Sequence, residues 1–197
     1  MRIMLIVAWL FAGLGGVIYH YGPGQEKLEV DRISGLLKVA RHNVEQEQWN
    51  DAVQTFDSAL AEMPGDKVNE SRAVMLEKAK AQMMAAKLPE ARSSLQSLLS
   101  DMRADEEADP KLLADVQSTL ANSQYYMTWL MRLEGLPEEE WMPEIEAARQ
   151  HYTQLTKEAK KLGDDKLLET SLEDLESAIR LARMDLSDLQ ALPLPSQ

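Results

Sequence analysis

LLKVARHNVEQEQWNDAVQTFDSALAEMP, residues 36–64, sets small and large apolar side chains at the offsets that two antiparallel helices need in order to cross closely. Leu36, Val39 and Ala40 share one face of a first helix, and Trp49, Ala52, Phe56 and Ala59 share one face of a second. Ala40 and Ala52 lack bulk where the two helices must cross, while Trp49 and Phe56 fill the gap beside them. Pro64 stops the second helix, because the residue before a proline is driven out of the helical region.

A second copy of this pattern runs through Met75, Ala79, Leu88, Ala91, Leu95 and Leu98, with Ala79 answering to Ala40 and Ala91 to Ala52. Pro89 suits the first turn of its second helix, where a missing amide costs nothing. These residues resemble a tetratricopeptide repeat, in the aromatic, small, aromatic order of the second helix and in the closing proline. The family repeat is about 34 residues long, so the connection between copies is about five residues longer here. Asn43 stands where the family carries an aromatic residue. A third, irregular hairpin starts at Asp109-Pro110 and continues through Leu113, Val116, Leu120, Ala121 and Tyr126. Its partner is expected to begin near Pro143 and to bury Ile145, Ala148, Tyr152 and Leu155. An ordinary helical bundle is the alternative reading of the same helices.

Leu168, Leu172, Leu175, Ile179, Ala182, Leu186 and Leu189 alternate spacings of four and three, the seam of a helix that packs along its whole length. Flanking Glu169, Glu176, Arg183 and Gln190 form no evident ladder of complementary charges, so capping of the repeat stack is preferred to homo-oligomerisation. Pro193 and Pro195 end the helix.

Composition agrees with an all-helical fold. Leu and Ala supply 51 residues against 21 for Val, Ile and Thr, and β-branched side chains lose rotamer freedom in a helix. At 197 residues the chain suits one sizeable core. A formal charge of −12 would repel a polyanion, which argues against nucleic acid as a partner. The absence of cysteine removes thiolate catalysis and cysteine-ligated zinc.

Residues 3–18 carry no charge and follow Arg2, the pattern of an export signal. With Tyr19, His20 and Tyr21 as an interfacial belt, the run reaches about the 17 to 20 residues that a spanning helix needs. A small-x-small cleavage site after the apolar run is missing, so a retained anchor is preferred to a cleaved signal. The expected organisation is a transmembrane signal-anchor at 1–21, a linker at 22–30 around Gly22-Pro23-Gly24, a helical-repeat solenoid with a long capping helix at 31–192, and a tail at 193–197. The expected location is a bacterial inner membrane, spanned once, with the soluble domain periplasmic.

Nothing in the sequence gathers the groups of an active site. His20, His42 and His151 are the only histidines, and no metalloprotease, phosphate-loop or nucleophile-elbow motif is present. The acidic run Asp101, Asp105, Glu106, Glu107 and Asp109 lacks the glycine and alternating oxygens of a calcium loop, and reads as a solvated helix junction. No metal, cofactor or catalysis is expected. What the resemblance implies instead is a scaffold or adaptor, whose first helices line an inner surface that grips a protein partner. In that register Leu37, Arg41 and Val44 of the first copy correspond to Leu76, Lys80 and Met83 of the second. Arg41 and Lys80 would receive an acidic peptide or helix. A structural or oligomerisation subunit without a groove is the alternative, and a hydrolase or metal-dependent enzyme a more distant one. Met83, Met84, Met127 and Met131, near Tyr125, Tyr126 and Trp129, are further candidate contact residues, as is Trp141.

Overall fold

A computed structural model describes residues 23–191, which form eight α-helices and, among the described residues, no strand. The chain divides into two compact units, one ending at Gly65 and the other beginning at Asp66.

The first unit is a helical hairpin of α1 (Pro23–Glu45) and α2 (Trp49–Glu62). Pro23 opens α1, so the helix takes in most of the expected linker at 22–30; a proline at the first helical position gives up no bond. Ile33, Ala40, Ala52, Val53, Phe56 and Ala59 are buried between the two helices. Val39 does not belong to this face. It is 52% exposed, about a quarter turn off the stripe that Ile33 and Ala40 define. Trp49 and Pro64 are half-buried at the ends of α2. Met63 turns extended just before Pro64, as a pre-proline residue should. An Arg32–Glu62 ion pair at 2.5 Å and an Asn43 amide donating to Thr55 Oγ1 at 3.5 Å also join the helices.

The second unit contains α3 (Val68–Met84), α4 (Leu88–Arg103), α5 (Pro110–Leu133), α6 (Glu138–Leu162), α7 (Asp165–Arg183) and α8 (Leu186–Ala191). Neighbours in sequence pack on one another from α3 through α7, and α5 also touches α3, α7 and α8. Leu76, Ala79, Leu95, Leu98, Leu99 and Met102 close over Val116 and Leu120 of α5. On its other side, Ala121 and Trp129 of α5 join Trp141, Ile145, Ala148, Tyr152 and Leu155 of α6 and Ala178 and Leu181 of α7. Burying a leucine or tyrosine in such a cluster is worth about 2–3 kcal/mol.

Capping chemistry sets several boundaries. Asp109 Oδ1 accepts from the Lys111 amide at 2.9 Å and starts α5, with Pro110 in its first turn. Pro89 sits in the first turn of α4. α6 begins at Glu138 rather than near Pro143, because Glu138, Glu139 and Glu140 meet the positive end of the helix dipole and Pro143 is accommodated inside.

The turns inside the hairpins repeat at the level of single hydrogen bonds. In the first, Glu47 adopts φ 58° and the Gln48 amide donates to Asn43 O at 2.8 Å. In the second, Ala86 adopts φ 59° and the Lys87 amide donates to Gln82 O at 2.9 Å, each partner being the counterpart of one in the first under the offset that carries Ala52 to Ala91. Gly135 at φ 76° makes the same turn between α5 and α6, where the Leu136 amide donates to Met131 O at 3.0 Å. This is the left-handed helix terminus, in which an amide beyond the helix satisfies a carbonyl of the last turn.

Three further expectations are corrected. The long C-terminal helix is broken: Met184 is extended (ψ 142°), and α8 starts anew at Leu186. Its leucine seam is buried only in part: Leu189 is in the core and Leu175 and Ala182 pack against it, while the fully buried residues of α7 are Ser171, Ala178 and Leu181. The single-pass inner-membrane location with a periplasmic domain is also overturned, because no described helix is long and apolar enough to cross a membrane. Even α5, one of the longest, carries Gln117, Ser123, Gln124, Thr128 and Arg132 among its buried residues. The expected anchor at 1–21, with His20, and the tail at 193–197 lie outside the described residues.

Candidate functional site

Leu37 and Val44 are half-buried and Arg41 is exposed, all in α1 of the first unit. Leu76, Lys80 and Met83 lie in α3 of the second. Leu76 is only 5% exposed and belongs to the core beneath α3, so of these three it is Lys80 and Met83 that reach the surface. Ala79, Ala91 and Leu95, like Ala40 and Ala52 in the first unit, are buried.

Lys80, Met83 and Met84 of α3 meet Thr119, Asn122 and Tyr126 of α5 around a cleft of about 260 Å³. The two helices are the first members of successive hairpins, and they touch directly. The cleft is floored by two thioethers and an aromatic ring and edged by one ammonium group. The Asn122 side chain is fixed, since its Oδ1 accepts from the Tyr152 hydroxyl at 2.6 Å. Thr119 is tied down as well, donating to Asp115 O at 2.8 Å. Burial, helped by the nearby Asp174 carboxylate, raises the Tyr126 hydroxyl above its usual range. Such a surface suits an apolar side chain flanked by a carboxylate: flexible thioethers repack around the first, and Lys80 meets the second.

Thr119 and Asn122 escaped the sequence reading because the third hairpin breaks the offset that links Arg41 to Lys80. The turn at Gly135 lies farther along the chain from the turn at Ala86 than that turn lies from Glu47. The sequence places Tyr126 on the apolar face of the third hairpin and in an aromatic and methionine group, but gives no sign that it faces Lys80. Of that group, Trp129 is 4% exposed and Trp141 8%, so both serve the core and neither is a surface anchor.

The remaining candidates resolve into structural roles. Asp105 receives Arg72 at 2.6 Å, and this hydrogen bond, with one from the Glu107 amide, holds its carboxyl below the usual range. The acidic run is thus a pinned junction between α4 and α5. His42 is exposed, 3.7 Å from Glu45. His151 is half-buried, and burial followed by the Arg103 cation lowers its pKa. Its backbone carbonyl accepts from Gln117, whose own oxygen takes the Arg103 guanidinium at 2.9 Å. Among the described residues, no three acidic, histidine or cysteine side chains gather as a metal site.

No family model matches the chain, and no curated protein matches it either.

Proposed function

We propose that the chain is a tetratricopeptide-like repeat protein that binds a segment of another protein in the cleft between α3 and α5, and that it catalyses nothing. The observation that carries this reading is the cleft itself. It is built by the first helices of adjacent hairpins, where repeat scaffolds grip their ligands, and it combines two methionines and a tyrosine with one lysine in a protein of charge −12. Support for the repeat reading comes from the matching turns at Glu47 and Ala86, which fall at equivalent positions of the two copies. In this reading α7 is the terminal cap. The partner is an apolar segment bearing a carboxylate.

The test is selection of binders from a random displayed-peptide library against the full chain, with affinities then measured by fluorescence anisotropy. Selected peptides should pair a large apolar residue with an acidic one. Lys80→Glu should weaken them about tenfold, equivalent to about 1.4 kcal/mol, and Met83→Asp should weaken them further. Lys157→Glu, on the exposed face of α6, should leave affinity unchanged. Binders indifferent to Lys80, Met83 and Tyr126, or no binders at all, would remove the cleft as the site.

A further inference from the structure

A cap needs one apolar face to cover the last hairpin and a polar face toward water. α7 meets the first requirement with Ser171, Ala178 and Leu181. It departs from the second. Leu172 is 46% exposed, and Leu168 and Ile179, half-buried, share its side of the helix; Leu186, 43% exposed, opens α8 just beyond. These four belong to the heptad seam, whose other members turn inward, Leu175 and Ala182 packed against the core of the unit and Leu189 fully buried in it. A heptad spacing left on the outer flank is more than the fold itself uses.

The charges beside this row have a direction. Between Asp165 and Glu176 stand five carboxylates and one lysine; between Ser177 and Arg183 stand two arginines and no carboxylate. A second α7 laid antiparallel, with the two-fold axis at Glu176, brings Glu169 of each copy to Arg183 of the other, and Glu173 near Arg180. Each Glu176 at the axis is already paired with its own Arg180 at 2.8 Å, which relieves the meeting of like charges. In the same register Leu168 and Leu172 of one copy lie over a cleft of about 450 Å³ beside Ile179 and Met184 of the other. A parallel arrangement sets Glu169 beside Glu169 and gains none of this. Because α7 is already held as a helix by its own core, pairing spends little on ordering it.

We infer that α7 is a homotypic docking surface through which two copies of this chain associate antiparallel, apart from the cleft between α3 and α5. The acidic-to-basic run along α7 also complements its helix dipole, so the experiment must separate pairing from helix stability. Sedimentation equilibrium of the full chain at micromolar concentration should return twice 22.2 kDa. Glu169→Arg alone and Arg183→Glu alone should each return the monomer mass, since each sets like charges together twice. An equimolar mixture of the two variants should return the dimer, because every cross-pair is then opposite in sign. Ile179→Lys, at a half-buried position outside the core cluster of the unit, should give monomers of wild-type helicity in any mixture. A monomeric wild type would overturn the inference, whatever else covers the row. So would single variants that stay dimeric, or a mixture that stays monomeric while both variants keep wild-type helicity.

Discussion

Replacing Arg132 by Met removes a cation that sits 9% exposed near the end of α5 and closes the end of another helix. Its guanidinium donates to the carbonyl oxygens of Leu181 and Met184, in the last turn of α7 and at its cap, and lies 4.7 Å from the centre of the Trp141 ring. Hydrogen bonds to a charged group are worth about 1.5–3 kcal/mol each, and the ring contact about 1 kcal/mol. Against this stands the cost of keeping a cation away from water, which also lowers the Arg132 pKa, with Asp185 and Glu138 countering the effect. The net expectation is a loss of about 3 kcal/mol, because Met fills the space but leaves two carbonyls without donors. Urea unfolding should register that loss. Hydrogen exchange should place it: the amides from Leu181 to Leu189 should open about a hundredfold more often, while those of α1 and α2 are unaffected. Arg132→Lys should fall between the two, since a lysine keeps the charge without the planar fork. A Met variant within about 0.5 kcal/mol of wild type would refute the idea that this side chain ends α7.

Ala86→Gly should raise stability by about 0.5–1 kcal/mol, because alanine at φ 59° carries left-handed strain that glycine lacks; a lowered melting temperature would contradict this. Asp174 titrates above its usual 3.8, chiefly through burial and then through Glu173. The neutral acid is therefore the form favoured in the fold, and its stabilising contribution is present below pH 3.8 and lost as pH rises through the raised folded value. Asp174→Asn should accordingly be the more stable protein at neutral pH and converge with wild type in acid. Parallel stability curves across that range would show that the carboxyl is not perturbed.

How much of this could be read beforehand differs from helix to helix. The hairpins of α1–α2 and α3–α4 were legible because small and large apolar residues recur every three or four positions, Ala52, Phe56 and Ala59 in one and Ala91, Leu95 and Leu98 in the other, and because Pro89 marks a helix start. The left-handed turns at Glu47 and Ala86 were not, since neither residue prefers that conformation and the surrounding hairpin imposes it. In α7 hydrophobicity pointed to the wrong face. Leu168, Leu172 and Ile179 outrank Ser171 and Ala178 in apolar area, yet the small residues let α7 approach α6 closely and so took the buried position. The break at Met184 has no proline or glycine to announce it. It depends on Arg132, far earlier in the chain. In the cleft, Lys80 and Met83 followed from the register of the second hairpin, whereas Asn122 is positioned by a contact with Tyr152 that no local pattern encodes.

The central place of α5 bears on how the second unit is made. As the nascent chain emerges, α3 and α4 can rest on Val116 and Leu120 as soon as α5 has formed, but the opposite flank of α5 still faces water until α6 arrives. Gln117, whose acceptor is the backbone oxygen of His151 in α6, keeps its amide in water until that helix is made. A half-assembled intermediate therefore leaves Ala121 and Trp129 of α5 uncovered, and residues 66–189 reach their full stability only once the later helices have closed over α5.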